Sequence, residues 1–220
     1  PVTSFGIPCI YPQIPNIPPY HNNGVWPFVQ SYWLWAAASV NNEKSVMESI
    51  SAIYRPAALF LTNKENFVAE TGDFSGTQIN SSIMLWSLSG NISVIHKVLF
   101  GIRFEEGKLV LKPFVPEVLQ GRRALTNFKY QDAVLDIELN GFGSRIVSFE
   151  LDGRKTSSFE IPDTILGKHT VKIELDNQIP VTSTSNQKPV LFTLPAPVAR
   201  YEKSEITWQP VSKAVGYKIL

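Results

Sequence analysis

The sequence holds a single cysteine, Cys9, in 220 residues, so no disulfide can form within the chain and no cysteine zinc cluster can be built. One cysteine leaves the redox compartment open. Charged residues make up only 18%, with a formal net charge of +1 and no block of one sign, which argues against nucleic acid or a charged membrane surface as partner. No apolar run approaches the roughly 20 residues of a membrane-spanning helix. Three histidines, His21, His96 and His169, are too scattered for metal-ligand spacing, so no metal or other cofactor is expected. There is no Gly-x-Ser-x-Gly elbow, and "NGFGS" at 140–144 lacks the strand-to-helix context of a phosphate loop and reads as a turn. Glu150, Asp152 and Asp163 fall at turns, where turn chemistry accounts for them better than calcium. The chain starts at Pro1 without a charged-then-apolar leader, so a targeting segment is expected to have been removed or to lie elsewhere.

What is present is core material: 44% hydrophobic and 11% aromatic residues, enough for one large or two smaller domains. Prolines at 8, 12, 15, 18 and 19 exclude a helix from the first 19 residues and predict an extended arm ordered by something else. From Val25 to about Val40, apolar residues at helical spacing (Trp26, Val29, Trp33, Ala36, Ala37, Val40) predict a helix closed by Asn41-Asn42. A second helix is predicted from Glu43 to about Leu61, with Val46, Ile50, Ile53 and Tyr54 on one face and Pro56 marking a kink or early end. Residues 78–89 and about 92–101 read as another helical pair, split at Gly90-Asn91.

The period changes at Ile102. "IRFEEGKLVLKP" predicts two strands joined at Glu106-Gly107, and the following alternation predicts strands around turns at Asn140-Gly141 and Asp152-Gly153, then one more at 169–175. The expected class is α+β with several domains: helices over 1–101, an antiparallel β-sandwich over 102–178, a linker over 179–192 and a short module over 193–220. In that last segment strands are expected at Ile206–Trp208 and at 216–220.

Two stretches carry candidate chemistry. The loop "NFVAETGDFSG" at 66–76 offers Glu70 and Asp73 among glycines, where a carboxylate aimed inward by a helical scaffold could activate a water. The competing account has Asp73 or Ser75 capping the next helix and Glu70 solvated. "YHNNGVWPF" at 20–28 holds more rings and hydrogen-bonding groups than a helix start requires. Flat apolar faces with convergent hydrogen bonders suit the C–H faces and hydroxyls of a sugar ring, although Trp33 and Trp35 further along read as core rings of a bundle.

The order of these parts ("YHNNGVWPFVQSYW", a helical hairpin, "AETGDFSG", "LWSLSG", then "GIRFEEGKLVLKPFVP") resembles the C-terminal end of a six-hairpin, (α/α)6-barrel glycosidase, over about residues 5–155. Glucoamylases, glucosidase I, amylo-α-1,6-glucosidases and disaccharide phosphorylases share that architecture. In several of the hydrolases a Glu about sixteen residues before a Trp-Ser is the general base of an inverting reaction, which the resemblance places on Glu70 ahead of Trp86-Ser87. It assigns sugar contacts to Tyr20, His21, Asn22, Asn23, Trp26 and Trp86, with one extra residue before Trp26 relative to some relatives. The general acid comes from an earlier hairpin of that clan; Glu43, Glu48 and Glu65 read instead as solvated surface. The resemblance therefore implies a glycoside hydrolase fragment, inactive alone, whose partners are a carbohydrate and the missing N-terminal part of the barrel. A non-catalytic carbohydrate-binding or cell-surface scaffold and a disaccharide phosphorylase relative are the alternatives. Residues 195–220 resemble the first three strands of a fibronectin type III module, against the roughly 100 residues a complete sandwich of that kind needs. Such a tail on a glycosidase implies export to the periplasm or the outside of a bacterium.

Overall fold

The computed structural model describes residues 2–180, 187–190, 192, 194 and 197–217. A two-residue strand, β1 (Gly24–Val25), leads into helix α1 (Pro27–Ser39), which has proline at its first position, where a missing N–H costs nothing. Asn41, at φ 55°, takes the left-handed conformation just past its end. Helix α2 (Glu43–Phe60) starts at once, because the Asn42 side chain accepts a hydrogen bond from Ser45 N at 3.1 Å and caps it. It continues past Pro56 in its interior to a left-handed Leu61, so of the kink or early end expected at Pro56 the early end does not occur.

The buried stripe of α1 is Pro27, Gln30, Leu34, Ala37 and Ala38. Of the residues expected on the inner face, Trp26 and Ala37 are buried, whereas Trp33, Ala36 and Val40 lie on the outer side, with Val40 58% exposed. The polar residue in the true stripe, Gln30, hides it from a purely apolar periodicity. Its Oε1 accepts from Ile7 N at 2.8 Å and its Nε2 donates to Ser49 Oγ at 2.9 Å, which ties the arm to both helices.

After β2 (Phe67–Val68) the expected second helical pair is replaced by one continuous helical segment, α3 (Leu85–Ser93), passing directly into a π-helical turn at Val94–Leu99. Residues 77–84 are not helical because their polar groups are bonded to the segment after α2. Asn66 Nδ2 donates to Ile79 O, Asn80 Nδ2 to Asn66 O, Ser81 N to Glu65 Oε2 and Met84 N to Asn63 O. Gly90 does not split the helix; it lets α3 close on α1. A Cβ there would lie 2.8 Å from the Pro27 carbonyl oxygen.

Beyond the π turn come β3 (Ile102–Glu105), β4 (Lys108–Leu111), β5 (Arg123–Tyr130), β6 (Ala133–Asn140), β7 (Ile146–Leu151), β8 (Arg154–Lys155), β9 (Glu160–Ile161) and β10 (Gly167–Leu175). They form a three-stranded sheet β3-β4-β9 and a five-stranded sheet β5-β6-β10-β7-β8. Ile102, Leu109, Leu111 and Ile161 of the first share one core with Leu135, Ile137, Leu139, Phe149, Val171 and Ile173 of the second. The architecture is mixed α+β. The Asn140-Gly141 turn does not make a hairpin, because β10 inserts between β6 and β7 and runs parallel to β6, an exception to the expected antiparallel pattern. A separate hairpin, β11 (Ala199–Glu202) with β12 (Glu205–Trp208), follows, and Trp208 meets Tyr217 at 5.2 Å between ring centroids. Gly216 and Tyr217 are outside any strand, and the rest of the strand expected at 216–220 lies outside the described residues. Part of the expected linker packs back: Val190 is buried and donates its N–H to Val2 O at 2.9 Å.

Two predictions follow from this packing. Gly90→Ala should lower stability by about 1–3 kcal/mol through overpacking, despite alanine's better helix propensity; a higher urea midpoint would mean that α1 and α3 are not this close. The second concerns His169. Its Nδ1 lies 2.6 Å from Asp152 Oδ2 and its Nε2 2.9 Å from Leu166 O, two acceptors that only the imidazolium can serve together. The Asp152 bond holds His169 above its ordinary 6.5, with the Leu166 carbonyl adding to it. The bonds from His169 and from Thr170 N–H hold Asp152 below its ordinary 3.8. The histidine's contribution is complete below 6.5 and fades as pH rises through its raised folded value. The aspartate's is complete above 3.8 and fades as pH falls through its depressed one. His169→Gln should therefore cost most in melting temperature between those two ordinary values, and the gap to the parent should close at alkaline pH.

Candidate functional site

The segment Tyr20–Trp26 is stitched to the loop after α2. Gly24 pairs with Val68 and Val25 with Phe67 in the β1–β2 ladder, and Ala69 N donates to Asn23 O at 2.8 Å. The chain folds back tightly enough that a Cβ on Gly24 would sit 1.7 Å from the Tyr20 carbonyl oxygen, so only glycine fits. Trp26 Nε1 donates to that same oxygen at 2.9 Å.

Six rings are brought together. His21 stacks on Trp26 with centroids 4.9 Å apart, and Tyr20 lies tilted to His21 at 4.6 Å and edge-on to Trp26 at 5.0 Å. Trp86, from the first turn of α3, lies 6.0 Å from Trp26 and 6.1 Å from Phe28, which contacts Tyr32 at 5.2 Å. Trp26, 6% exposed, is the floor; His21, Tyr32 and Trp86, the last 45% exposed, present their rings to solvent. Trp33, expected in a core, is partly exposed, and Trp35 is half-buried.

The carboxylate at this cluster is Glu65. Tyr20 Oη donates to its Oε1 at 2.8 Å and Ser81 N to its Oε2 at 3.0 Å, and the residue is only 5% exposed, which corrects its reading as solvated surface. The hydrogen bond to Glu65, followed by partial burial, raises the Tyr20 phenol above its ordinary value of 10.0, so it is a proton donor at neutral pH. A carboxylate has about four acceptor positions; Tyr20 and Ser81 fill one on each oxygen of Glu65.

Glu70 is placed elsewhere. It is exposed and lines a cavity of ≈ 420 Å³ together with Phe5, Lys44, Glu48 and Phe192, and no ring of the cluster borders that cavity. Asp73 does not cap a helix, since none begins before Leu85; its Oδ1 accepts from Ser75 N at 2.8 Å in a local turn. The two asparagines work on the arm. Asn22, 5% exposed, accepts from Ile14 N at 2.8 Å and donates to Ile14 O and Ile17 O at 3.1 and 3.0 Å. Asn23 Oδ1 accepts from Gln13 Nε2 at 3.1 Å. Burial pushes the Cys9 thiol up to about 11, partly opposed by a hydrogen bond from the Trp26 backbone, so it is not a thiolate nucleophile at neutral pH. Among the described residues no group of three His, Cys, Asp or Glu side chains converges as a metal site would require, and no helix is long and apolar enough to cross a membrane.

Sequence reasoning singles out four of the six rings, Tyr20, His21, Trp26 and Trp86, and misses Phe28, Tyr32 and Glu65; the signal for Glu65 is its place beyond the end of α2, immediately before the buried pair Asn66-Phe67. Asn22→Ala should release the arm: losing a buried amide's partners costs about 1–3 kcal/mol, and limited proteolysis should cut residues 8–19 faster than in the parent, whereas Asn23→Ala should change the rate little. Equal protection in both variants would show that the arm is ordered by other contacts. A scan of protein-family models and a search of curated proteins gave no match to this chain.

Proposed function

We propose that the chain is the saccharide-facing C-terminal part of a six-hairpin glycoside hydrolase that inverts configuration at an anomeric carbon. The observation that carries this reading is the convergence of Tyr20, His21, Trp26, Phe28, Tyr32 and Trp86 beside a carboxylate held by a phenol and a backbone N–H. Exposed rings give a sugar its stacking surface, and a carboxylate within hydrogen-bond reach of a water gives the base. In the reaction the base takes a proton from water, whose oxygen bonds the anomeric carbon as the glycosidic C–O bond breaks. A general acid ~6.5–9.5 Å away protonates the departing oxygen; in this reading it comes from the rest of the barrel. Support for that larger array is the outer face of α3 and its approach, where Ile83, Leu85, Leu88 and Ile92 are exposed and would be covered by further hairpins. Residues 102–178 are then its accessory β-sandwich and 193–220 the start of a fibronectin-like module, in a protein exported from a bacterium.

The base is one of two carboxylates. The resemblance assigns Glu70; the ring cluster favours Glu65. Glu65→Gln and Glu70→Gln in the intact enzyme separate them, since removing a general base typically costs about 10²- to 10⁴-fold in turnover. Loss in the first alone assigns Glu65, and loss in the second alone restores Glu70. Because Gln offers one fewer acceptor to Tyr20 and Ser81, the melting temperature of Glu65→Gln is measured alongside. The second reading, a carbohydrate-binding scaffold without catalysis, is favoured by the same two hydrogen bonds, which would suffice for a purely structural Glu65. Saccharide affinity with no product from the parent protein would establish it, and turnover dependent on inorganic phosphate would point to a phosphorylase.

A further inference from the structure

A second concavity lies where the helices meet the sheets. Its walls come from the end of α1 (Ala38, Ser39), the π-helical turn (Lys97, Val98), β3 (Arg103), the exit of β4 and the approach to β7, and it encloses ≈ 480 Å³. Four cationic side chains line it, Lys97, Arg103, Lys112 and Arg145, and no carboxylate does. Lys112 and Arg145 are neutralised from outside, by Glu105 and Asp176, each at 2.7 Å. Lys97 and Arg103 have no ion pair among the described residues. Both lie at rings instead: Lys97 Nζ is 5.8 Å from the centroids of Trp35 and Phe104, and Arg103 Cζ is 5.5 Å from that of Trp35. Arg103 Nε is buried without a hydrogen-bond partner.

Two like charges that share one indole repel each other, and a buried guanidinium N–H without an acceptor is held at a cost. A concave, low-dielectric wall concentrates their field on its interior. A small anion with several strong acceptor oxygens would offset the repulsion between these cations, a guanidinium fork and an ammonium being its usual partners. Ser144 lines the same wall, as does Ser39, whose hydroxyl donates to Trp35 O at 2.9 Å. We propose that this cavity binds a tetrahedral oxyanion, a phosphate or sulfate group, through Lys97 and Arg103. None of its lining residues belongs to the ring cluster, so the site stands whether or not the hydrolase reading holds. Because its walls belong to both the helical part and the sheets, an occupant braces one against the other.

The test is thermal melting and titration calorimetry of the intact protein with sodium phosphate, sodium sulfate and glucose 6-phosphate, each against sodium chloride at matched ionic strength. A saturable rise in melting temperature is expected with phosphate or sulfate and not with chloride. Binding should weaken at least tenfold in Lys97→Gln and in Arg103→Gln, and persist in Lys168→Gln, which alters a lysine on β10 outside the cavity. Tighter binding of glucose 6-phosphate would mark an ester as the ligand, and tighter binding of the inorganic ions a free oxyanion. Should Arg103→Gln fail to fold by circular dichroism, Lys97→Gln decides alone. An identical response to chloride, or undiminished phosphate binding in the folded variants, overturns the proposal.

Discussion

A carboxylate taken out of water has to be met by donors where it lies, and Glu65 is met by two that are far apart in sequence, Tyr20 Oη and Ser81 N. Much of the site hangs on that requirement. Residues 62–84 contain almost no regular structure, and their order comes from side chains bonded to backbone: Glu65 to Ser81, Asn66 to Ile79, Asn80 to Asn66. At the other end, Tyr20 holds Trp26 through its carbonyl oxygen while its phenol reaches Glu65. The carboxylate thereby fixes the spacing between the ring-bearing turn before α1 and the loop that delivers Trp86 at the start of α3. Shifting it would move both walls of the cluster at once, and would leave a charge without its partners in a half-dry environment.

The two halves of the chain are coupled just as tightly. Within a few residues the π-helical turn sends Val94 and Val98 into the helical core and Leu99 and Phe100 into the core between the sheets. An i-to-i+5 turn rotates successive side chains differently from an α-helix, and such turns mark places where a helix must serve two neighbours. Phe114 returns the connection from the far side: it follows β4 yet is buried among Leu34, Ala37 and Ile53 of the helices. Helices and sheets are thus interlocked, and the cation-lined cavity sits along that joint.

Local rules made part of this legible. Pro27 and Asn42 mark the starts of α1 and α2, and Glu106-Gly107 and Asp152-Gly153, all with positive φ, make the hairpin turns their sequences announce. What failed failed for tertiary reasons. The α1 stripe is only partly legible because its buried polar member, Gln30, is satisfied by Ile7 and Ser49, neither of which periodicity can see. The helix expected from residue 78 was lost to long-range hydrogen bonds, and the strand order was misjudged because a parallel β6–β10 pair leaves no mark in the alternation of either strand. The ring motif was readable because its members are adjacent in sequence. Its carboxylate partner, 45 residues from Tyr20, was not.

The same distinction governs which acid can serve the rings. Glu65 lies before the short strand Phe67–Val68 and Glu70 in the turn after it. The pairing of β2 with β1 holds Ala69 against Asn23 and leaves Glu70 past the end of the ladder, sharing a cavity wall with Phe5 and Lys44. The Asn22 and Asn23 side chains are spent on the arm, and the exposed residues of the ring cluster are His21, Tyr32 and Trp86. Of the two loop carboxylates, Glu65 is the one already joined to that surface, through a phenol whose own ring is part of it.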